Sequence, residues 1–139
     1  MKIFLASHGS LADSMLKVVH MIMGKDDDVE SLCLDTYENP VALLEAASKK
    51  IENFENEPVA FVCDIKGGSV FNHLLSLCQK PNVTLFSGMN LDLVLSLINI
   101  KPKTKEETEE VLGEAKAGIL IFNSEILEKM KNENDKDSF

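Results

Sequence analysis

A histidine, an aspartate and a glycine-rich turn stand at the ends of two apolar runs of this sequence. His8 follows the first run, Asp64 closes a later one, and Gly67-Gly68-Ser69 comes shortly after that aspartate. A neutral imidazole is nucleophilic, and a carboxylate at its other ring nitrogen fixes the tautomer and stabilises the imidazolium. Backbone N–H groups at a glycine-rich helix start bind anions. Together these residues predict phosphoryl transfer through His8, with Asp64 as its orienting partner.

Each of these residues also has a purely structural interpretation. Asp64 could cap the helix that follows it, and Gly67-Gly68 could form only a tight turn. Ser69 could cap that helix, donate a hydrogen bond to a phosphoryl group, or do both. Asn90 stands at the start of another predicted helix, where it could be a cap or a site residue. Lys66 adds a positive charge beside the predicted anion-binding turn.

The chain lacks the motifs of nucleotide-dependent enzymes and of common metal sites. It contains neither G-x-x-x-x-G-K-[ST] nor G-x-G-x-x-G, which argues against a nucleotide as phosphate donor and against a dinucleotide. Asp26-Asp27-Asp28 lacks the alternation of a calcium loop, and the three cysteines lack C-x-x-C spacing, so we expect no cofactor and no metal. His20 and His73 lie inside predicted helices and are interpreted as surface or edge residues.

Composition limits the classes of protein and partner. The chain has 139 residues, 45% hydrophobic and 27% charged, which suits one domain with one core. Its net charge of −9 argues against nucleic acid or an anionic membrane as partner. No apolar run approaches the length of a bilayer span, and the first apolar run is too short for a signal peptide and is interpreted as a strand. We therefore expect a cytoplasmic protein.

Strand and helix patterns alternate from the first residue. Strands are predicted over 2–6, 29–34, 59–63 and 83–86, each followed by residues at helical spacing. Four such units imply an α/β fold, a parallel sheet with helices on both faces in a flavodoxin-like three-layer sandwich. Strand order 2-1-3-4 would bring His8 and Asp64 face to face at the carboxyl ends of the strands.

Helix boundaries and the last part of the chain give further expectations. Capping boxes are predicted at Ser10 with Asp13 and at Thr104 with Glu107, and Asn39 is expected to cap a helix that opens with proline. The first helix is expected to bury Leu11, Met15, Val18, Val19 and Ile22, the third Phe71, Leu74, Leu75 and Cys78, and the fifth Val111, Leu112 and Ala115. Residues 119–122 are interpreted as a short fifth strand. We expect a domain over 1–123 and a charged, helical or frayed tail over 124–139.

Three motifs at three strand ends resemble one protein family. Ser-His-Gly at His8, Asp-Ile-Lys-Gly-Gly-Ser-Val-Phe-Asn from Asp64, and Gly-Met-Asn-Leu around Asn90 are similar to the mannose-family EIIA component of the bacterial phosphoenolpyruvate-dependent sugar phosphotransferase system (PTS). The resemblance runs from Met1 to about Phe122. It departs from the family pattern at Lys66, where an aromatic or hydrophobic residue is usual, and at Val70, where proline is usual.

The resemblance implies a phosphotransferase with a phosphohistidine. His8 would accept the phosphoryl group from HPr and pass it to a histidine of the EIIB component, with Asp64 hydrogen-bonded to His8 and with Gly68 and Ser69 around the phosphoryl group. It also implies a cytoplasmic homodimer that exchanges an antiparallel fifth strand. The membrane components EIIC and EIID, which choose the sugar, would be only indirect partners.

Two alternatives stay open at this point. One is the phosphotransfer subunit of a dihydroxyacetone kinase system, which resembles the same fold and uses the same histidine chemistry. The other is a non-enzymatic, flavodoxin-like sensor or receiver module. A receiver would need an acidic cluster near the end of the first strand, and Ser7-His8-Gly9 supplies none.

Overall fold

The chain folds as alternating strands and helices. The computed structural model describes residues 1–137. Its strands are β1 (Lys2–Ser7), β2 (Val29–Cys33), β3 (Val59–Cys63) and β4 (Val83–Ser87). Its helices are α1 (Leu11–Met23), α2 (Pro40–Ile51), α3 (Ser69–Leu74), α4 (Leu91–Ile100), α5 (Lys105–Ala117) and α6 (Ser124–Asp137).

The four strands form one parallel sheet in the order β2-β1-β3-β4, which confirms the predicted order. Such a sheet needs cover on both faces, and two apolar clusters provide it. One lies between the sheet and α1, α4 and α5, and the other between the sheet and α2 and α3. Phe4 and Phe61, with ring centroids 5.1 Å apart, stack within the second cluster. The sheet therefore holds β1 and β3 side by side at the centre of the molecule.

Of the four helix caps that the sequence indicated, at Ser10, Asn39, Asn90 and Thr104, the structure contains the last three. Side-chain oxygens of Asn39, Asn90 and Thr104 accept hydrogen bonds from the backbone N–H groups of their helices, as an N-cap requires. The capping box predicted at Ser10 and Asp13 is wrong. The N–H of Ala12 donates instead to Oγ of Ser7, at the end of β1, over 2.8 Å.

Asp13 has a different partner from the one predicted. Its carboxylate accepts a hydrogen bond from the hydroxyl of Ser31 on β2. The predicted end of the second strand also moves by one residue, since Leu34 belongs to a 3₁₀ turn and not to β2. Both differences arise where a neighbouring element supplies a hydrogen bond that local spacing does not encode.

Several apolar residues that were expected in the core are exposed. On α1, Ala12 and Val19 are buried, whereas Leu11, Val18 and Ile22 are exposed. The third helix breaks into a 3₁₀ turn from Leu75 onward, so Leu75 is exposed too. On α5, Val111 and Ala115 are buried as predicted, and Leu112 is exposed.

The predicted fifth strand is absent from the single chain. Residues Ile119–Phe122, here called the arm, pair with no strand in the described part of the chain, and their exposure is 59–72%. A strand exists only through its pairing, so the single chain does not form this strand, and a fifth strand exchanged between two chains stays a prediction. Of the tail predicted over 124–139, residues up to Asp137 form α6, while 138 and 139 lie outside the described residues. No helix within residues 1–137 is long and apolar enough to cross a bilayer.

A buried lysine anchors the amino end of the sheet. Lys2 is only 7% exposed, and its Nζ lies 2.7 Å from Oε2 of Glu30 and 2.9 Å from the carbonyl oxygen of Asp27. Lys50 of α2 bonds the other oxygen of Glu30 over 3.0 Å. The Lys2 ammonium also lies 5.7 Å from the ring centre of Phe4. Glu30 thus joins β1, β2 and α2 at the end of the sheet opposite His8.

Candidate functional site

The sheet itself brings the predicted nucleophile and carboxylate together. His8 is the first residue after β1, and Asp64 is the first after β3. These two strands are hydrogen-bonded neighbours, with Ala6 opposite Cys63. The carboxyl ends of adjacent parallel strands meet at the same edge, so both side chains project over that edge.

Asp64 holds His8 by both its backbone and its ring. The His8 N–H donates to Oδ2 of Asp64 over 2.9 Å, and Nδ1 of the imidazole lies 2.9 Å from the same oxygen. The other carboxylate oxygen accepts from the N–H of Ile65 over 3.0 Å. A carboxylate can only accept, so the proton of the neutral ring sits on Nδ1. The nucleophilic lone pair is therefore on Nε2.

Nε2 faces the serine at the start of α3. Oγ of Ser69 lies 3.0 Å from it, which places the Ser69 hydroxyl as donor to the Nε2 lone pair. The cap position of α3 belongs to Gly68, and Ser69 makes no capping bond. The His8 side chain is 44% exposed whereas that of Asp64 is 12% exposed. The nucleophile is thus open to an incoming molecule while its orienting carboxylate is sheltered.

The electrostatics of Asp64 keep it ionised. Burial is the largest single influence on the pKa of this carboxyl and raises it. The hydrogen bonds from the backbone and ring of His8, together with the charge of that ring, act in the opposite direction and prevail. The pKa of Asp64 consequently lies below its ordinary value, and a negative charge faces Nδ1 at neutral pH.

Two different geometric requirements explain why glycine stands at positions 67 and 68 of the turn. Gly67 has φ of 78°, in the left-handed region that only glycine adopts at low cost. Gly68 has ordinary backbone angles, but a Cβ there would lie 3.0 Å from Cε1 of His8 and 3.0 Å from Cγ2 of Ile65. The absent side chain of Gly68 therefore makes room for the imidazole itself, a reason that the sequence pattern did not indicate.

Asn72 is a residue of this site that sequence reasoning missed. Its Nδ2 donates to the carbonyl oxygen of Gly67 over 3.1 Å, one turn of helix away. The bond ties the left-handed turn to α3 and so fixes the backbone on either side of Gly68. Its sequence signal was its place as the last residue of the motif that begins at Asp64, but no role was assigned to it there.

The remaining candidates make no hydrogen bond to His8 or Asp64 in the part of the chain that the structure describes. Asn90 caps α4, its Oδ1 accepting from the N–H of Leu93 over 2.8 Å. Lys66 is exposed on the turn that follows Asp64. His73 bonds the carbonyl oxygen of Ser69 through Nδ1 over 2.7 Å, and His20 lies on α1. No cluster of three or more His, Cys, Asp or Glu side chains suited to a metal occurs among the described residues.

Comparison with known proteins gives a family model and relatives over nearly the whole chain. The model EIIA-man, described as PTS system fructose IIA component, matches residues 2–116. The mannose-specific EIIAB component of Escherichia coli K12 is 22% identical over 132 residues, which cover 91% of this chain and 41% of that protein. The chain spans about two fifths of the length of the curated relatives it matches.

Solved structures give the same picture. A sugar PTS permease from Klebsiella pneumoniae superposes with a TM-score of 0.76 at 31% identity, covering 90% of this chain and 93% of that one. An EIIA component from Streptococcus agalactiae has a TM-score of 0.79 at 20% identity, covering 87% and 96%. The second likeness bears on the fold alone, because its identity is low.

Proposed function

This chain belongs to the EIIA-man family and is an EIIA component of a sugar phosphotransferase system, and from that premise we propose that His8 is its phosphoryl carrier. His8 accepts the phosphoryl group from phospho-HPr and passes it to an EIIB component during sugar uptake. The observation that supports this most directly is the geometry of one imidazole. Nδ1 is fixed by a sheltered carboxylate, while the ring itself is exposed and its Nε2 faces the Ser69 hydroxyl.

The transfer proceeds by displacement at phosphorus. The Nε2 lone pair of His8 attacks the phosphorus of the donor phosphohistidine, the new N–P bond forms there, and the donor's N–P bond breaks with its electron pair returning to the donor ring. The His8 ring becomes positively charged while it keeps its proton on Nδ1. Asp64, 2.9 Å away, offsets that charge, which makes the acceptor state less costly without removing the proton.

The turn over Gly67-Gly68-Ser69 binds the transferred group. In the resting site the Ser69 hydroxyl donates to Nε2, so it lies within reach of a phosphoryl oxygen once Nε2 is occupied. Asn72 holds the turn in this position. We assign to Lys66 an electrostatic contribution, because it places a positive charge on the turn in a chain whose net charge is −9. Asn90 has no direct part in the chemistry and acts as a cap.

Partners and assembly follow from the same proposal. The donor is HPr, the acceptor is EIIB, and the protein meets both in the cytoplasm. It acts as a homodimer, because β4 leaves one edge of the sheet unpaired and the apolar arm lies exposed. Exchange of the arm between two copies would cover both surfaces at once.

Phosphorylation by purified donor proteins tests the assignment. Incubation with phosphoenolpyruvate, the first enzyme of the system and HPr should add one phosphate, stable to base and labile to acid, and EIIB should then remove it. His8→Ala should take up none, whereas the matched control His73→Ala should be labelled fully. Label on His8→Ala, or label mapped to His20 or His73, would contradict the assignment. Transfer to a dihydroxyacetone kinase subunit in place of EIIB would contradict the assignment of EIIB as the acceptor.

A further inference from the structure

The arm leaves the body of the protein at the same end of the sheet as His8. Helix α5 packs along α4, and its end lies against the first turn of α4, where a Cβ at Gly118 would overlap the carboxylate of Asp92. Helix α4 itself begins just after the carboxyl end of β4. The arm therefore starts at the carboxyl end of the sheet and can run only towards the amino end if it pairs antiparallel with a β4 strand.

The length of the arm determines where such a strand would end. β4 has five residues, Val83–Ser87, and five residues separate Gly118 from the first residue of α6. At about 3.3 Å per residue the two segments match in length. If Ile119 at the start of an antiparallel arm lies opposite Ser87, Asn123 lies opposite Val83 and Ser124 then lies beside Asn82.

A cavity opens at that position. It has a volume of about 490 Å³ and lies at the amino end of the sheet, between the beginning of β4 and the first turn of α5. Three of the four prolines of the chain line it, namely Pro58, Pro81 and Pro102. Val59 and Phe86 line it as well, so the cavity has an apolar part that suits apolar side chains. The rest of its lining consists of Glu, Asn, Thr and Lys residues and Met1.

Helix α6 carries side chains of the right kind. Leu127 and Met130, three residues apart on one face, are 56% and 44% exposed, and neither lines the cavity of its own chain. Glu125 and Glu128 in the first turns have the charge opposite to that of Lys103 and Lys105, which line the side of the cavity next to α5, while Glu55 and Glu57 line it elsewhere. The apolar face of α6 is thus exposed in the single chain, and the apolar part of the cavity can receive it.

We propose that the first two turns of α6 from a second copy of this chain fill the cavity at the amino end of the sheet. Leu127 and Met130 insert among the prolines, and the acidic residues of the first turns lie towards the two lysines. This docking rests on the exchange of the arm proposed above and extends the interface beyond the exchanged strand. It does not depend on the chemistry of His8.

A tryptophan reporter tests the docking, since the chain has no tryptophan of its own. Leu127→Trp should show emission at shorter wavelength and protection from a soluble quencher at concentrations where the protein is dimeric, and both should disappear on dilution to monomer. The matched control Val41→Trp, on the exposed side of α2, should show neither change. Deletion of residues 124–139 should leave a dimer whose dissociation constant is raised at least about tenfold.

Each other outcome would overturn the docking in a recognisable way. A dimer of the Leu127→Trp variant whose indole stays exposed to quencher overturns the docking and leaves the exchange standing. Protection that persists in the monomer shows that α6 folds onto its own chain, which also overturns it. A full-length chain that is monomeric by sedimentation overturns both the exchange and the docking. Phosphoryl uptake by the same variants, measured separately, reports on His8 alone.

Discussion

At the scale of single residues, the site depends on the hydrogen bond and the negative charge that Asp64 presents to Nδ1 of the His8 ring. Asp64→Asn keeps a carbonyl oxygen for the backbone bond but removes the negative charge that faces Nδ1. We expect phosphoryl uptake to slow by about 10²-fold or more while the fold is retained. Stopped-flow or quenched-flow labelling measures the rate, with Asp35→Asn, at the same end of the sheet, as control. An unchanged rate would reduce Asp64 to a structural residue.

The contribution of Asp64 to the free energy of unfolding depends on pH in a definite direction. Its pKa is lower in the folded protein than in the unfolded chain, so the carboxylate stabilises the fold above the unfolded pKa. That stabilisation is lost as the pH falls through the lowered, folded pKa. The difference in free energy of unfolding between the parent protein and Asp64→Asn should therefore shrink on acidification. A difference that grew towards low pH would contradict the direction of the shift.

Gly68 allows a second prediction at this scale. Gly68→Ala places a methyl group 3.0 Å from Cε1 of His8, closer than side chains normally pack, so the ring must shift by a few tenths of an ångström. We expect phosphoryl uptake to fall by roughly tenfold to a hundredfold, because transfer depends on precise positioning of the nucleophile. The kinetic assay described for Asp64 measures it.

Gly113→Ala is the matched control for that substitution. It lies within α5, where a Cβ meets no atom within 4 Å. It should leave the transfer rate unchanged and raise the free energy of unfolding by about 0.5–1 kcal/mol, since alanine is the better helix former. Equal kinetic losses in both variants would show that the space beside His8 is not what Gly68 provides.

At the scale of secondary-structure elements, Glu30 connects β1, β2 and α2 through two lysines. Burial is the largest single influence on the pKa of Glu30 and raises it. The hydrogen bonds and charges of Lys2 and Lys50 together outweigh burial, so the pKa lies below its ordinary value. Glu30→Gln should destabilise the protein by about 1 kcal/mol, a figure reduced for the partial exposure of the pair. Urea unfolding measures it, with the exposed Glu125→Gln as control, for which about 0–0.5 kcal/mol is expected.

The same network gives a pH signature. Because the pKa of Glu30 is lowered in the folded state, its contribution is present above the unfolded pKa and is lost as the pH falls through the folded value. The parent protein and Glu30→Gln should therefore converge in stability on acidification. Convergence at alkaline pH in place of acidic pH would show that the carboxylate is not the group responsible.

Local patterns predicted the elements well wherever one segment decided the outcome. The four strands and the caps at Asn39, Asn90 and Thr104 were readable, because apolar runs and capping chemistry act within a few residues. The strand order, which is confirmed, was taken from the flavodoxin-like arrangement and not from any local pattern. The cap of α1 was not readable, since the hydroxyl of Ser7, five residues before Ala12, takes the place of Ser10. Spacing cannot reveal which of two nearby hydroxyls lies closer to an N–H group.

The site, too, was predictable in part from the sequence and in part not. Topology alone places His8 beside Asp64, because their strands are neighbours. The Ser69 hydroxyl at Nε2, the Asn72 bond to Gly67 and the space beside Gly68 depend on side-chain distances that no sequence period encodes. The exposed face of α1 was misjudged for a related reason, since helical spacing identifies an apolar face without saying whether a neighbour covers it.

At the scale of the whole molecule, the open edge of β4 and the exposed arm predict a dimer. At about 10⁻⁵ M the full-length protein should sediment with twice the chain mass of 15.4 kDa. Deletion from Lys116 onward removes the arm and should give monomers or aggregates, because β4 then keeps an uncovered edge. A chain ending at Asn123 keeps the arm and is the control that should remain dimeric. A monomeric full-length protein at this concentration would contradict the exchange.

The backbone N–H and the Nδ1–H of His8 both donate to one oxygen of Asp64. The imidazole ring therefore cannot flip by half a turn without breaking the hydrogen bond from Nδ1. Only the nitrogen remote from the backbone can be substituted, so the phosphoramidate must be the τ isomer. Each in-line displacement inverts the configuration at phosphorus. A chiral phosphoryl group that arrives at His8 and departs from it should therefore leave with the handedness with which it came.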